Sequence, residues 1–219
     1  MTNAAARGFA SVVLDVDSTL CGIEGIDWLA ELRGAAIGAR VTELTDRAMR
    51  GELALDAVYG ERLALVNPTR DEVAALANVY IGALAPGAAR AVRRLREAGH
   101  RITLVSGGVR EAILPVARRL GIPDDDVHAV SVRFADDGSY AGHDTASPLA
   151  TSTGKRAIVE SLALPRRILA VGDGATDLAV RPAVDAFAAF TGFVRRDAVL
   201  SAADLVVASF DQLTDLVLA

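Results

Sequence analysis

Cysteine and lysine are almost absent from this chain of 219 residues. Cys21 is the single cysteine, so no disulfide can form within the chain, and such sparse cysteine is typical of a reducing compartment. Lys155 is the single lysine, and every other member of the 23 basic residues is arginine. We therefore expect a cytoplasmic protein in which Cys21 packs near a domain hinge without a chemical role.

Excess positive charge and long apolar runs are absent as well. The chain carries 28 acidic residues and a net charge of -5, which argues against the basic surface that nucleic-acid binding needs. The longest uncharged stretch, residues 73–89, contains Pro86 and falls short of the ~18 apolar residues of a membrane-spanning helix. The apolar residues 9–14 are interrupted by Asp15 and Asp17 before they could form a signal peptide. We therefore expect no nucleic-acid partner, no membrane partner and no export.

Arginine pairs occur at scattered places and do not form a basic stripe. Each pair lies near the predicted end of a helix or start of a strand, where charged side chains usually face solvent. We therefore expect solvated side chains at Arg93 and Arg94, Arg118 and Arg119, Arg166 and Arg167, and Arg195 and Arg196.

The composition, 52% hydrophobic and 23% charged, is that of a chain that folds around a core. Its length fits one domain with a large insertion, or two small domains. Residues 21–84 contain only helical patterns, among them a capping-box pair at Thr69 and Glu72 that predicts the start of a helix. The rest of the chain alternates short apolar runs with helical patterns.

Three continuous apolar runs are typical of strands buried on both faces of a parallel sheet. They are residues 12–14, 102–105 and 168–171. Helical patterns at residues 87–98 and 109–120 lie between them, and the Asp137-Gly138 pair predicts a small hairpin. We predict an α/β fold, namely a Rossmann-like parallel sheet core with an inserted helical-bundle cap. The predicted domains are a core of residues 1–20 and 85–219 and a cap of residues 21–84.

Polar motifs follow each predicted core strand. The first strand runs into DVDST, the second into SGG and the third into GDGATD. Because ligands bind outside the carboxyl ends of parallel strands, these motifs should meet at one edge of the sheet. A predicted helix that begins with Gly154 and Lys155 can reach the same edge.

These motifs suit phosphate chemistry. Four aspartates form an oxygen-only ligand set appropriate to Mg²⁺: Asp15, Asp17, Asp173 and Asp177. One carboxylate can attack phosphorus, and a second can protonate the leaving alkoxide and later deprotonate water. The hydroxyl and N–H groups of residues 106–107 and the ammonium of Lys155 would balance charge on the phosphoryl oxygens.

In this order, the motifs resemble the haloacid-dehalogenase superfamily of phosphotransferases, and among them the phosphoserine phosphatases. The resemblance runs from Asp15 to near the C-terminus through DVDSTL, EGIDWLAEL, TDRAMRGEL, ERLALV, LVSGGVRE, DGSYAGHD, VGDGATDL and AVDAF. It implies Mg²⁺-dependent hydrolysis of O-phospho-L-serine to L-serine and phosphate through an aspartyl-phosphate, the final step of serine biosynthesis in that family.

The resemblance also implies roles for the acidic residues of the core. Asp15 resembles the nucleophile and a Mg²⁺ ligand. Asp17 resembles the general acid/base, with its backbone carbonyl on the metal. Asp173 resembles the third metal ligand, and Asp177 a supporting acidic residue near the metal.

Substrate contacts are implied in the same way. Ser106, Gly107 and Lys155 resemble a phosphate clamp, and the single lysine of the chain falls at the family's phosphate-binding lysine. Glu24 resembles the residue that receives the substrate ammonium, and Arg62 the one that receives its carboxylate. A bidentate arginine opposite an acid is what recognition of an amino acid requires.

The leaving-group pocket is where the chain departs from the family. Met49 and Thr176 resemble residues next to the substrate. Leu55 stands where a phenylalanine is common, Arg50 replaces a usual glycine, and Val109 follows the double glycine where phenylalanine is common. These changes affect the predicted selectivity for serine and leave the phosphoryl-transfer residues in place.

The sequence also leaves other functional hypotheses open for the same residues. The aspartyl-phosphate could be passed to an alcohol such as homoserine, making the protein a phosphotransferase, or the site could bind phosphate without turnover. Without the family resemblance, Glu24 and Arg62 would be expected at the surface. Trp28 and Tyr59 are expected in the core of the cap, whose alanine-rich helices could also support a homodimer.

Overall fold

The computed structural model describes residues 8–219. Residues 1–7, which the predicted core domain includes, lie outside the described residues. The strands in chain order are β1 (Ser11–Leu14), β2 (Arg101–Val109), β3 (Val127–Val130), β4 (Val132–Phe134), β5 (Tyr140–His143), β6 (Ile168–Gly172), β7 (Ala186–Phe190) and β8 (Leu205–Val207). The helices are α1 (Gly25–Glu31), α2 (Ala35–Met49), α3 (Leu55–Val66), α4 (Arg70–Gly82), α5 (Ala88–Glu97), α6 (Arg110–Arg119), α7 (Gly154–Ser161), α8 (Ala175–Leu178), α9 (Asp197–Ala202) and α10 (Phe210–Leu218).

A six-stranded sheet forms the centre of the molecule, in the order β3-β2-β1-β6-β7-β8. Every neighbouring pair in it is parallel. β1 lies between β2 and β6, and all four of its residues are buried, as its apolar sequence predicts. The carboxyl ends of β1, β2 and β6 are therefore side by side, and the predicted α/β fold with a parallel sheet is confirmed.

Helices α1–α4 form a compact group that the chain inserts between β1 and α5. The hydroxyl of Thr69 accepts a hydrogen bond from Glu72 N, and the Glu72 carboxylate accepts one from Thr69 N, so the predicted capping box starts α4. The two connections to the core run side by side, since Ala85 N donates to Leu20 O at 2.9 Å. Cys21 is fully buried at this crossing, as the sequence predicts.

The structure extends the sequence prediction in several places. β4 and β5 form the predicted antiparallel hairpin. Residues 106–108, which follow the predicted apolar run 102–105, continue β2, because the strand still pairs with β3 at Val109 and Val130. β3, β7 and β8 complete the sheet and were not among the predicted strands. Within residues 8–219, none of the helices is long and apolar enough to cross a membrane.

Candidate active site

One cavity opens where the edge of the sheet meets the inserted helices. Nine of the eleven residues predicted for the site line it: Asp15, Asp17, Glu24, Met49, Arg62, Gly107, Lys155, Asp173 and Thr176. The other two, Ser106 and Asp177, lie directly behind this lining and hydrogen-bond to Gly108 and Lys155. The structure therefore brings together residues from the loops after β1 and β6, from β2, α7 and α8, and from the inserted segment.

Three buried carboxylates converge at the sheet edge. Asp15, Asp173 and Asp177 each offer an oxygen, and these oxygens lie within 4.8 Å of one another. Lys155, in the first turn of α7, places its Nζ 2.6 Å from Asp15 Oδ1 and 2.6 Å from Asp177 Oδ1. Gly174 N donates to Asp177 Oδ2 at 3.0 Å, which fixes that carboxylate. A buried, all-oxygen cluster of this kind fits a hard divalent cation.

The ionisation of Asp15 depends on its burial. Burial and the charge of Asp177 together raise the pKa of Asp15 to about 8, although Lys155 opposes the rise. A divalent cation among these carboxylates would favour the ionised form, because its charge outweighs that of the side chains around it. A cation bound here would therefore increase the ionised fraction of Asp15.

Arg196 is part of this cluster, which corrects the expectation that its side chain is solvated. Its side chain is 8% exposed and its guanidinium contacts Asp173 Oδ2. Thr19 Oγ1 donates to the other oxygen, Asp173 Oδ1, at 2.9 Å. No motif marks Arg196, which sits just before α9, about twenty residues beyond the nearest site motif.

Asp17 has its two carboxylate oxygens in different surroundings. Oδ1 accepts hydrogen bonds from Tyr80 Oη at 2.6 Å and from Gly25 N at 2.7 Å. Oδ2 faces Ser106 Oγ at 3.4 Å, and that hydroxyl accepts from Gly108 N at 2.9 Å. Burial raises the pKa of Asp17, and the bonds from Tyr80 and Gly25 oppose the rise. No sequence motif marks Tyr80.

The end of the cavity beneath the inserted helices carries one acid and one arginine. Arg62 on α3 is 4% exposed, and its Nη2 lies 3.4 Å from Asp27 Oδ1. Its buried Nε finds no hydrogen-bond acceptor within residues 8–219. Glu24, half-buried before α1, accepts a hydrogen bond from Ser18 Oγ at 2.7 Å, and burial raises the pKa of Glu24 to about 8. Both side chains line the cavity, unlike the surface positions that helix patterning alone would suggest.

Apolar side chains close the remaining walls. Met49, at the end of α2, packs on the loop after β6, since a Cβ at Gly174 would lie 2.8 Å from its Sδ. Leu55 and Tyr59 on α3 also line the cavity. Tyr59 is buried, as expected of a cap residue, and its hydroxyl also donates to Gly107 O at 2.8 Å.

The three departures from the family pattern lie in different environments. Leu55 is in the wall of the cavity, where it bears on the shape of the pocket. Arg50 is exposed and pairs with Glu52 at 2.7 Å. Val109 is 1% exposed and ends β2. Of the three residues, Leu55 is therefore the one that could affect substrate selectivity directly.

Comparisons with known proteins agree with this geometry. The haloacid dehalogenase-like hydrolase family matches residues 9–184. The chain is 40% identical over 206 residues to the phosphoserine phosphatase of Rattus norvegicus, covering 93% of this chain and 91% of the rat protein. The human phosphoserine phosphatase is 39% identical with the same coverage. A phosphoserine phosphohydrolase-like protein from Francisella tularensis superimposes with a TM-score of 0.87 at 26% identity, covering 95% of this chain and 99% of that one. The chain belongs to the haloacid dehalogenase-like hydrolase family.

Proposed function

We propose that the protein is a Mg²⁺-dependent phosphatase that hydrolyses O-phospho-L-serine to L-serine and phosphate in serine biosynthesis. One observation carries this proposal: a single cavity joins Asp15 and Lys155 at the sheet edge to Glu24 and Arg62 under the inserted helices. The first pair suits a phosphoryl group, and the second suits the ammonium and carboxylate of an amino acid. The rat and human relatives are phosphoserine phosphatases by name.

The domain organisation that goes with this function is a core of residues 1–20 and 85–219 and a cap of residues 21–84. Hydrogen bonds beside the cavity join the cap to the core, among them those from Tyr59 Oη to Gly107 O and from Leu55 N to Ser152 Oγ at 2.7 Å. A cap held in this way excludes bulk water from the reacting phosphate, as lids do in other enzymes.

The metal proposed for the site is Mg²⁺. Asp15, Asp173 and the backbone carbonyl of Asp17 would hold it, and Asp177 would support it. Mg²⁺ bound there would neutralise charge on the phosphoryl oxygens. The buried cluster of carboxylate oxygens fits the hard ligands that this ion prefers.

The first chemical step transfers the phosphoryl group to Asp15. A bond forms between an Asp15 carboxylate oxygen and phosphorus, while the bond from phosphorus to the serine oxygen breaks and its electron pair leaves with that oxygen. Asp17 gives its proton to the departing oxygen. Burial raises the pKa of Asp17, which favours the protonated form that this step requires.

The second step releases phosphate. Asp17, now ionised, takes a proton from water as the water attacks the aspartyl-phosphate and regenerates Asp15. Lys155, Ser106 and the N–H of Gly107 would balance charge on the phosphoryl oxygens during both steps. The hydroxyl of Ser106 is held in place by the bond from Gly108 N.

Recognition of serine is assigned to the cap end. The unpartnered Nε of Arg62 is ready to donate to a carboxylate, and Glu24 would accept from the ammonium. An ammonium beside Glu24 lowers the pKa of that acid, so amine binding and ionisation of Glu24 support one another.

We place the enzyme in the cytoplasm, on the evidence of the single cysteine. Its partner is a small-molecule substrate, without nucleic acid or membrane. A homodimer stays a prediction.

Phosphate release from a substrate panel tests the proposal. Phosphoserine, phosphothreonine, phosphoethanolamine and nucleotides are compared by kcat/KM with and without Mg²⁺, and acceptor alcohols such as homoserine are added in a second series. We expect phosphoserine to be the best substrate, with Mg²⁺ required and one phosphate released for each serine. A better substrate elsewhere in the panel overturns the serine assignment, and a new phosphoester in place of free phosphate overturns hydrolysis.

A further inference from the structure

Tyr80 connects the last turn of α4 to the carboxylate assigned as general acid/base. The tyrosine is fully buried, and its hydroxyl donates to Asp17 Oδ1 at 2.6 Å. The donor thus comes from the inserted helices and the acceptor from the loop after β1, 63 positions apart in sequence. The bond depends on how these two parts of the molecule pack together.

The second donor to the same oxygen comes from Gly25. Its backbone N–H donates to Asp17 Oδ1 at 2.7 Å. A Cβ at Gly25 would lie 2.0 Å from Tyr80 Oη, so a glycine at the start of α1 is what makes room for the hydroxyl. The local backbone is therefore shaped to let both donors reach one oxygen.

Two donors occupy both lone-pair positions of Oδ1, since a carboxylate oxygen offers about two such positions. A proton on Oδ1 would have to displace one of these bonds. Oδ2 lies near Gly108, where a Cβ would be 2.7 Å away, and Gly108 lines the cavity. The hydrogen bond that Oδ2 receives among the described residues is the 3.4 Å contact from Ser106 Oγ.

We propose that Tyr80 is a positioning residue that occupies Asp17 Oδ1 and so directs the transferable proton of Asp17 to Oδ2, toward the leaving group. The proposal rests on the function proposed above. During phosphoryl transfer, the proton moves from Asp17 Oδ2 to the serine oxygen as the bond from phosphorus to that oxygen breaks. Because Tyr80 belongs to the cap, the general acid is correctly oriented when the cap is packed on the core.

Two substrates whose leaving groups differ in their need for a proton distinguish the positioning role of Tyr80 from a packing role. The serine alkoxide of O-phospho-L-serine leaves only with a proton, whereas the acetate of acetyl phosphate leaves as a stable anion. We expect Tyr80→Phe to lower kcat/KM for phosphoserine by about 10-fold or more, part of the range that general acid catalysis supplies. We expect kcat/KM for acetyl phosphate to fall by less than about 2-fold, because its departure needs no acid.

The chain offers a matched control in Tyr140, a half-buried tyrosine of the hairpin that contacts His143 and does not line the cavity. Tyr140→Phe should leave both kcat/KM values unchanged. The ratio of the two substrates does not depend on the fraction of folded enzyme, because both rates scale with the same active protein. A modest loss of stability in Tyr80→Phe therefore leaves the test valid.

Equal losses on both substrates would mean that Tyr80 only packs, and no loss on either would mean that its hydroxyl is irrelevant; each result overturns the proposal. Failure of the proposed function has a different signature, in which the wild-type enzyme prefers another phosphomonoester to phosphoserine. The Tyr80→Phe comparison is then made between acetyl phosphate and that alkyl phosphate, so the role of Tyr80 is decided independently.

Discussion

Replacing Arg62 by methionine removes the guanidinium and keeps a long apolar side chain in the wall of the cavity. Arg62 is 4% exposed, its Nε has no acceptor in the described part of the chain, and its Nη2 is 3.4 Å from Asp27 Oδ1. Asp27 keeps the hydrogen bond from Thr45 Oγ1 at 2.5 Å, so the variant does not leave that acid without a donor. The main loss that we expect is therefore the proposed contact with the substrate carboxylate.

The size of this loss follows from the kind of contact. Hydrogen bonds to charged groups contribute about 1.5–3 kcal/mol each, so the forked contact of Arg62 with a carboxylate is worth at least ~3 kcal/mol. At about 1.4 kcal/mol for each factor of ten, Arg62→Met should lower kcat/KM for phosphoserine by at least about 150-fold. Phosphoethanolamine has the same amine and no carboxylate, so its kcat/KM should change by less than about 3-fold.

Steady-state phosphate release from both substrates measures this difference. Arg40 on α2 is an exposed cap arginine, so Arg40→Met serves as the control and should leave both values unchanged. A loss of the same factor on phosphoserine and phosphoethanolamine would refute the assignment of Arg62 to the carboxylate. Equal kinetics for wild type and Arg62→Met would refute any substrate contact.

Three further variants probe the core and the cap. Lys155→Arg should reduce turnover at least ~100-fold, because the wide planar guanidinium cannot replace an ammonium that lies 2.6 Å from two carboxylates at once. Near-normal turnover would contradict this prediction. Without Mg²⁺, Arg196→Gln should lower the unfolding temperature, because Asp173 loses its buried cation. The increase in unfolding temperature on adding Mg²⁺ should be larger in the variant than in the wild type. Equal increases in the two proteins would contradict this prediction. Thr69→Ala removes the helix cap of α4, so it should lower the free energy of unfolding by about 1 kcal/mol and the Tm by ~2–4 °C. An unchanged Tm would contradict this prediction.

The sequence predicts the centre of this fold well because its signals are local. A strand buried on both faces must be a continuous apolar run, and β1 and β6 are such runs. The edge strand β8 is three residues long with an exposed Val206, so it lacks that signal. β2 extends beyond its apolar segment because it pairs with β3, and the sequence pattern of β2 does not show this contact between distant segments.

The site residues also differ in whether a local sequence signal marks them. Asp15, Asp17 and Asp173 follow directly from motifs at strand ends, where topology alone brings them together. Tyr80, Tyr59 and Arg196 come from segments without a motif. Tertiary packing brings Tyr59 into the cavity wall, Tyr80 onto Asp17 and Arg196 onto Asp173. Arg196 resembled an ordinary solvated arginine beside Arg195, and its ion pair with Asp173 is visible only in three dimensions.

Trapping the phosphorylated enzyme tests most directly whether Asp15 receives the phosphoryl group of O-phospho-L-serine. Enzyme mixed with radiolabelled phosphoserine and Mg²⁺ is quenched in acid within milliseconds, digested, and mapped by mass spectrometry. We expect label on the peptide that contains Asp15, approaching one phosphate per chain and released by hydroxylamine, and no label or turnover in Asp15→Asn. Turnover without label at Asp15, or appreciable Mg²⁺-dependent hydrolysis by Asp15→Asn, would contradict the mechanism.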